Sequence, residues 1–272
     1  MEPYSVLMSL YKKEKAEYFQ LAVNSMLNQT VKPDEIVIVE DGPLTEELYA
    51  VEKELSDSNQ GLFKIVTNQT NQGLGLALNH GLYACRNELI ARMDTDDISK
   101  PERCEKQLAA FQNDPELAIV GAWADEFRNM PEEIISTRTV PCRHEEIFRF
   151  AKKRSAFNHP AVMYRKSKVL ETGGYGDLRR NQDVDLFGRM LYAGCKAENI
   201  GEALLLFRSN DDLAKRRKSW ENTKSYISTI KKFWKMGYAG FWDYAIVAAA
   251  QTGMFLIPVK LQYWIYKKFL RK

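Results

Sequence analysis

Short apolar runs of strand length alternate with amphipathic stretches of helical spacing through the first half of the chain. Five of these runs favour strands, at residues 4–10, 35–40, 62–67, 88–93 and 118–127. The stretches between them repeat apolar residues at the spacing typical of helices packed on a sheet. Strands that alternate with helices form βαβ units. The pattern therefore predicts an α/β fold with a mostly parallel, Rossmann-like central sheet flanked by helices.

The rhythm is less regular after Phe127. The pattern there predicts a hairpin-like segment, two helices and a short strand, at residues 128–140, 145–153, 182–193 and 160–164. We predict one domain over residues 1–212, with residues 1–127 as one half and residues 128–212 as the other. A C-terminal tail with amphipathic helices follows over residues 213–272.

The tail is basic and rich in aromatic residues. Between Leu213 and Lys235 there are eight Lys or Arg residues against the single Glu221, and from Pro258 to the end there are five against none. Aromatic side chains mixed with Lys and Arg suit a helix that lies among anionic lipid headgroups. The apolar stretch 244–261 is interrupted by polar residues and falls short of the ~20 apolar residues of a clean span. The sequence favours attachment to a membrane surface and leaves open a packed helix or a span.

Composition and charge limit the remaining possibilities. The net charge of +3 gives no indication of nucleic acid as a partner. The beginning of the chain does not have the pattern of a secretory signal. The four cysteines lie far apart without CxxC spacing, which favours reduced thiols over zinc ligands or disulfides. We therefore expect a cytoplasmic protein, peripheral on the inner face of the cell membrane.

The segment RMDTDD places three carboxylates directly after the fourth predicted strand. Asp94, Asp96 and Asp97 would repel one another unless a cation compensated their charge. Mn²⁺ and Mg²⁺ prefer oxygen ligands, and Mg²⁺ is usually held by one or two carboxylates together with substrate phosphates. The segment predicts a divalent metal that bridges the protein and a diphosphate. The alternative, a turn that caps a helix, would use Asp97 or Ser99 and leave Asp94 and Asp96 unexplained.

Polar residues also follow the other predicted strands. Ser9 and Tyr11 lie at the end of the first, Glu40 and Asp41 at the end of the second, and the segment TNQTNQG follows the third. Ligands of open α/β sheets bind beyond the carboxyl ends of the strands, so these clusters predict a ligand site at that edge. The chain has no GxGxxG with Rossmann spacing and no GxxxxGK[ST]. Dinucleotide-dependent redox enzymes and P-loop kinases are therefore excluded.

These segments resemble those of family 2 glycosyltransferases, in the same order, over residues 4–207. IVIVEDG, NQGLGLALNHG, RMDTDD and PERCEKQ are similar to the family's VVDDGS, NxGxxxARNxG, LDxDD and PxRxxxQ, and NHPAVMYRKS and GGYGDLRRNQDVDLFGRM are similar to two later ones. The resemblance implies the GT-A fold and inverting transfer from a nucleotide-sugar donor, as in bacterial exopolysaccharide or lipopolysaccharide biosynthesis. The chain differs from the family where Glu40 replaces an Asp and where Gln182 replaces the Glu before Asp183.

The resemblance also implies roles for individual residues. Asp183 would be the catalytic base, with Asp185 as the alternative, and a capping role for Asp183 is left open. Asp96 would be the direct metal ligand, with Asp94 and Asp97 as further candidates. The residues expected at the donor nucleotide are Ser9, Tyr11, Glu40, Asp41, Asn71, Gly73, Asp94 and Arg103. The residues expected at the acceptor are Trp123, Asp125, His159 and Gln182.

Three of these residues have a second interpretation. Arg103 reaches either the diphosphate or a carboxylate, His159 is either buried and hydrogen-bonded or contacts the acceptor, and Trp123 either stacks on a sugar or packs in the core. The function predicted is a metal-dependent inverting glycosyltransferase that moves a sugar from a UDP-sugar to a glycan or lipid-linked acceptor in surface-polysaccharide biosynthesis. The alternatives are a non-catalytic nucleotide-sugar-binding subunit and, from DTDD, a phosphatase with an aspartate nucleophile.

Overall fold

A nine-stranded sheet with helices on both faces forms the part of the chain that the structure describes. The structure is a computed structural model, and it describes residues 1–209 and 219–257. The strands of that part are β1 Tyr4–Leu10, β2 Glu35–Asp41, β3 Phe63–Asn68, β4 Leu89–Arg92, β5 Ile98–Ser99, β6 Leu117–Phe127, β7 Ile134–Arg138, β8 Met163–Arg165 and β9 Lys196–Arg208. The helices are α1 Ala16–Leu27, α2 Glu46–Ser58, α3 Leu74–Ala84, α4 Arg103–Asn113, α5 His144–Ala151, α6 Lys166–Glu171, α7 Gln182–Tyr192, α8 Trp220–Lys235 and α9 Phe241–Leu256.

Four strands form a parallel half of the sheet, in the order β3-β2-β1-β4. β1 pairs in parallel with β2 and β4, and β2 pairs in parallel with β3. The central strands β1 and β2 are almost wholly buried and rich in Val, Ile and Leu, as expected when helices cover both faces. Since the four strands run the same way, the loops after Leu10, Asp41, Asn68 and Arg92 lie along one edge of the sheet.

The other half of the sheet mixes directions. β8 is antiparallel to both β4 and β6, while β9 is parallel to β6 and antiparallel to β5. β7 turns back antiparallel on β6, which confirms the hairpin predicted after Phe127. The strand predicted at 160–164 is instead a 3-10 turn over His159–Ala161 followed by the short β8. Pro160 lies in that turn, where its missing N–H removes no sheet hydrogen bond.

Two clusters of buried apolar residues lie on opposite faces of the sheet. One packs α1, α2 and α4 against the face that carries Val6 and Met8 of β1. The other packs α3, α5 and α7 against the face that carries Leu7. The alternation of side chains along a strand sends neighbours to opposite faces, so both faces of β1 are apolar.

The helices after residue 218 differ in how they pack. Ile230 and Phe233 of α8 are fully buried in the cluster that contains α7. In α9, Val247 is the buried residue. The boundary predicted between residues 212 and 213 lies outside the described residues, and α8 beyond it shares the core of the preceding domain. Among the described helices, none combines the length and the apolar character needed to cross a membrane.

Candidate active site

Three carboxylates lie together at the carboxyl end of β4. Asp94, Asp96 and Asp97 each offer a carboxylate oxygen, and these oxygens lie within 4.8 Å of one another. β4 ends at Arg92, so the segment leaves the sheet at the edge where β1 and β2 also end. The structure thus brings together the three residues that the sequence predicts as a metal cluster.

The charges of this cluster are compensated only in part by the described residues, among which Arg92 is ion-paired with Asp94. Burial, followed by the charges of Asp94 and Glu14, raises the pKa of Asp96 to about 7. Burial and the charges of Asp96 and Asp94 also raise the pKa of Asp97 well above its usual range. Asp97 accepts a hydrogen bond from the backbone N–H of Arg208 at 2.8 Å, while its Oδ2 is buried without a partner among the described residues. An all-carboxylate site with an orphaned buried oxygen fits Mg²⁺ or Mn²⁺.

Glu14 and Arg208 border this cluster and were not predicted. Glu14 accepts a hydrogen bond from Thr95 Oγ1 at 3.2 Å, which ties the loop after β1 to the aspartate segment. Arg208 Nε donates to the backbone oxygen of Asp96 at 2.9 Å, and its guanidinium lies 3.9 Å from the ring centroid of Tyr18. Sequence motifs gave no signal for these residues, because only the fold brings them to the cluster.

Asp41 organises the loop that follows β3. Its carboxylate accepts hydrogen bonds from Asn71 Nδ2 at 2.7 Å and from the backbone N–H groups of Gln72 and Gly73 at 2.8 and 2.9 Å. Gly73 has a φ of +93°, which glycine adopts without strain. The structure thus brings Asp41, Asn71 and Gly73 together. Their contact with a nucleotide base remains a prediction.

The side chain of Glu40 lies on the face of β2 opposite to that of Asp41, and it points towards α2. Its Oε2 accepts a hydrogen bond from Thr67 Oγ1 at 2.7 Å, and its carboxyl group is hydrogen-bonded to Glu52 of α2. Burial and this hydrogen bond raise the pKa of Glu52 to about 8, so Glu52 is protonated at neutral pH and donates to Glu40. Ser9 and Tyr11 lie half-buried at the neighbouring end of β1. All four ends of the parallel strands therefore contribute polar groups to one edge.

Arg103 does not occupy the position predicted for it. Its side chain is 0% exposed. Its Nη2 donates to the backbone oxygens of Arg92 and Val162 at 2.6 and 3.1 Å, and its Nε donates to Gln107 Oε1 at 3.1 Å. The predicted contact of Arg103 with a diphosphate or a carboxylate is therefore wrong, because acceptors inside the protein already bind the buried guanidinium. The residue stabilises the strand end beneath the cluster.

The start of α7 lies against the start of α3. A Cβ added to Gly73 would be 3.3 Å from Arg179 Nη1, and one added to Gly75 would be 3.4 Å from the Cβ of Gln182. Asn181, immediately before α7, has a φ of +58°, a conformation that non-glycine residues rarely adopt. The loop that carries Asn71 and Gly73 and the helix that carries Asp183 therefore lie next to each other.

Asp183 lies in the first turn of α7 and is half-buried. Burial raises the pKa of its carboxyl group, and nearby backbone N–H groups and the charges of Arg92 and Arg138 act in the opposite direction. A raised pKa suits a group that accepts a proton. Asp185 differs, because it is 0% exposed and its oxygens accept hydrogen bonds from Lys232 Nζ at 2.5 Å and Arg189 Nε at 2.8 Å. The alternative prediction, in which Asp185 is the base, is therefore wrong.

The remaining predicted residues have mainly internal partners. His159 is buried, and its Nε2 lies 2.9 Å from Tyr175 Oη. Burial holds the pKa of His159 well below its usual range, so the ring is neutral. Trp123 Nε1 donates to a backbone oxygen at 2.8 Å, and Asp125 is paired with Lys100 at 2.9 Å. Among the alternatives, the structure has His159 buried and hydrogen-bonded.

Comparison with known proteins places this arrangement in a family. The family model described as glycosyl transferase family 2 matches residues 5–174. The amylovoran biosynthesis glycosyltransferase AmsE of Erwinia amylovora is 36% identical over 265 residues, 97% of this chain and 98% of that protein. The UDP-Gal:alpha-D-GlcNAc-diphosphoundecaprenol beta-1,3-galactosyltransferase of Escherichia coli is 34% identical over 271 residues, 99% of this chain and 97% of that protein.

Solved structures confirm the GT-A fold. The mannosyltransferase PcManGT from Pyrobaculum calidifontis, in complex with GDP-Man and Mn²⁺, superposes with a TM-score of 0.65 at 12% identity over 98% of this chain and 79% of that one. S. aureus TarS 1–349 superposes with a TM-score of 0.63 at 18% identity over 97% and 78% of the two chains. The family match and the relatives favour a transferase over a phosphatase or a non-catalytic subunit. The chain is a member of glycosyl transferase family 2, and thus a glycosyltransferase of polysaccharide biosynthesis.

Proposed function

We propose that this enzyme transfers a sugar, with inversion, from a UDP-sugar to a lipid-linked or glycan acceptor, and that it requires a divalent cation. The observation that supports this proposal best is the aspartate cluster at the end of β4 with Asp183 at the start of α7 on the same edge. The name of the Escherichia coli relative specifies a UDP-sugar and a diphosphoundecaprenol acceptor, which supports the same chemistry here.

The donor would lie over the carboxyl ends of β1, β2 and β4. Ser9, Tyr11 and the loop held by Asp41 border the place of the nucleotide, and Asp94 borders that of the ribose. Asp96, helped by Asp97 or Asp94, would hold Mn²⁺ or Mg²⁺, which offsets the charge of the departing diphosphate when bound. Burial and the neighbouring carboxylates raise the pKa values of Asp96 and Asp97. A bound cation would offset this repulsion, which supports these residues as ligands.

Asp183 would act as the base. Its carboxylate accepts the proton of an acceptor hydroxyl, and the oxygen of that hydroxyl forms a bond to the anomeric carbon. The bond between that carbon and the β-phosphate oxygen breaks, and UDP leaves with the electron pair. Gln182, which precedes Asp183, carries no charge. Of these two residues, Asp183 is therefore the one that can accept the proton. The acceptor would approach from the side of α7.

The experiment measures transfer and UDP release with UDP-galactose as the probe donor, a synthetic GlcNAc-diphospholipid acceptor and Mn²⁺. Asp183→Asn is expected to retain UDP binding and to lose about 100-fold or more of kcat, since a positioned base contributes 10² to 10⁴-fold. Asp96→Asn is expected to lose the dependence of UDP binding on Mn²⁺. The exposed Asp57→Asn serves as the matched control, because Asp57 pairs with Lys53 on α2, away from the cluster.

Undiminished turnover in Asp183→Asn would remove Asp183 as the base. Equal Mn²⁺ dependence in Asp96→Asn and the wild type would remove the cluster as the cation site. If UDP-galactose gives no product, the same assay with other UDP- and TDP-sugars decides the donor.

We also propose that α9 lies on an anionic membrane surface. Trp242, Ile246 and Leu256 are 74, 56 and 74% exposed, and with Ala249 and Gly253 they follow the i, i+4, i+7 spacing of one helix face. An exposed face without a charged residue is unusual on a soluble protein. The Lys and Arg residues of the tail complement anionic headgroups, which favours lipid as the partner of this face.

Sedimentation with vesicles tests this assignment. We expect the full chain to bind vesicles of phosphatidylglycerol and phosphatidylethanolamine and to dissociate partly at high salt, because salt screens the attraction. The double variant Trp242→Ser/Ile246→Ser should bind more weakly. Tyr83→Ser removes a similarly exposed aromatic residue from α3 and should bind like the wild type. Equal binding by the double variant and the wild type would rule α9 out as the membrane-binding face.

A further inference from the structure

The guanidinium of Arg92 is buried with most of its donors unused. The side chain is 1% exposed, and its Nη2 is hydrogen-bonded to Asp94 Oδ1. Its Nε and Nη1 have no acceptor among the described residues. Buried polar groups are almost always paired, and an unpaired donor of a charged group lowers stability. Stability of the fold alone therefore does not explain why these two nitrogens lie buried without acceptors.

The neighbouring Arg103 shows the contrast. It is equally buried, but its Nε, Nη1 and Nη2 all have acceptors within the protein. Arg103 thus has the contacts of a structural arginine. The side chain of Arg92 has one hydrogen-bond partner among the described residues, and that partner is a carboxylate of the candidate donor site.

Arg92 also lies between the two sides of the site. Its side chain leaves β4 on the face that α7 covers, since Arg92 is paired with Leu7 of that face. Its positive charge acts on Asp97 of the aspartate cluster and on Asp183 of α7. The cation therefore lies beneath both the carboxylates of the donor side and the candidate base.

We propose that Arg92 is a positioning residue for sugar transfer, which fixes the orientation of Asp94 towards the donor and holds a permanent positive charge beneath the site. The inference rests on the proposed function, because it takes Asp94 as a donor contact. With Oδ1 held by Arg92, Asp94 keeps one rotamer and presents Oδ2 to the ribose. Pre-organisation of this kind lowers the conformational entropy lost when the donor binds.

The experiment compares Arg92→Met and Arg92→Lys with the wild type by UDP titration calorimetry, steady-state kinetics with UDP-galactose, and thermal unfolding. We expect Arg92→Met to raise Kd for UDP and KM for the donor about 10-fold, the effect of one charge-assisted hydrogen bond. Its Tm should fall, because removal of the cation leaves the carboxylate of Asp94 without its ion-pair partner. Arg92→Lys should recover part of the UDP affinity, since the ammonium can still reach Asp94.

Arg165→Met is the matched control, because Arg165 lies on the neighbouring β8 beside the opposite end of β4 and donates to the backbone oxygen of Leu117. It should leave KM unchanged. In the background of Asp94→Asn, Arg92→Met should add little to KM, because the partner is already lost. Unchanged KM and Kd in Arg92→Met would overturn the proposal. If that variant does not fold, KM and Kd of Arg92→Lys equal to those of the wild type would overturn it. If the wild type itself binds no UDP, the proposed function fails instead.

Discussion

At the scale of single residues, the carboxyl groups near the edge of the sheet differ in what neutralises them. Asp41 accepts hydrogen bonds from N–H groups of the loop after β3, and Asp185 is paired with two cations. Glu40 shares a hydrogen bond with the protonated Glu52. In the described part of the chain, the cluster of Asp94, Asp96 and Asp97 has fewer compensating groups. Hydrogen-bond partners thus separate structural acids from those available to a ligand.

The pair of Glu40 and Glu52 predicts a pH-dependent stability. The pKa of Glu52 rises from 4.5 to about 8 on folding, so the folded state binds the proton more tightly than the unfolded state does. The stabilising contribution is fully present below about pH 4.5 and is lost as the pH rises towards 8. We expect Glu52→Gln, whose amide still donates to Glu40, to remove this dependence. Its Tm should equal or exceed that of the wild type at pH 8, by about 2–4 °C for each kcal/mol.

Thermal unfolding of both proteins from pH 5 to pH 9 measures the effect as a difference, which cancels the titration of all other groups. Glu54→Gln on the exposed face of α2 is the control and should follow the wild type. A pH-independent difference in Tm between Glu52→Gln and the wild type would show that Glu52 is already ionised when folded.

At the scale of elements, the packing of α8 on α7 supports the helix that carries Asp183. Phe233 of α8 fills the space beside Gly188, and Lys232 of α8 pairs with the buried Asp185 of α7. One contact is apolar and the other is ionic, and both lie within two turns of Asp183. Helix α8 therefore helps to set the position of α7 over the edge of the sheet.

Gly188→Ala tests this packing. The added Cβ would lie 2.0 Å from Phe233 Cζ, so the ring and α8 must move. We expect a loss of about 1–3 kcal/mol in the free energy of unfolding, typical of overpacking, together with a lower kcat. Urea unfolding and transfer assays measure the two effects. Gly253→Ala on α9 is the control, because its Cβ would meet nothing within 4 Å and alanine favours a helix.

At the scale of the whole molecule, the helices after residue 218 complete the core. Ile230, Phe233, Tyr238 and Val247 belong to the apolar cluster of α3 and α7. The sequence predicts a C-terminal tail over residues 213–272 that attaches to a membrane surface, and it leaves open a helix packed on the domain. In the structure α8 packs in the core of the domain, while Trp242, Ile246 and Leu256 of α9 are exposed.

Truncation after residue 209 is therefore expected to expose the apolar cluster and yield an aggregated or unfolded chain. Truncation after residue 257 removes only the last basic segment, so it should retain cooperative unfolding and activity. Circular dichroism melts and solubility after expression distinguish the two. A soluble, active chain that ends at residue 209 would show that α8 is dispensable for the core.

Local patterns were sufficient for much of this protein. Strands β1 to β4 and β6, the helix that begins at Gln182 and the segment RMDTDD were predicted because hydrophobic period and motif spacing are properties of neighbouring residues. Strands β5 and β9 were not predicted. The role of Arg103 was not predicted, since the sequence cannot tell whether a guanidinium points to a ligand or to backbone carbonyl groups. Glu14 and Arg208 were missed for a related reason. They meet Asp96 from opposite ends of the domain, and no short motif connects them.

The sequence alone determined the strands β1 to β4 with the helices between them and the carboxylates at the ends of β2 and β4, because each depends on a few consecutive side chains. Tertiary structure decided which charges are compensated. It surrounded Asp41 with N–H groups, paired Asp185 with Lys232, and buried Arg92 with unused donors beneath Asp94. Burial and charge partners depend on residues far apart in the chain, and those distances exist only once the chain has folded.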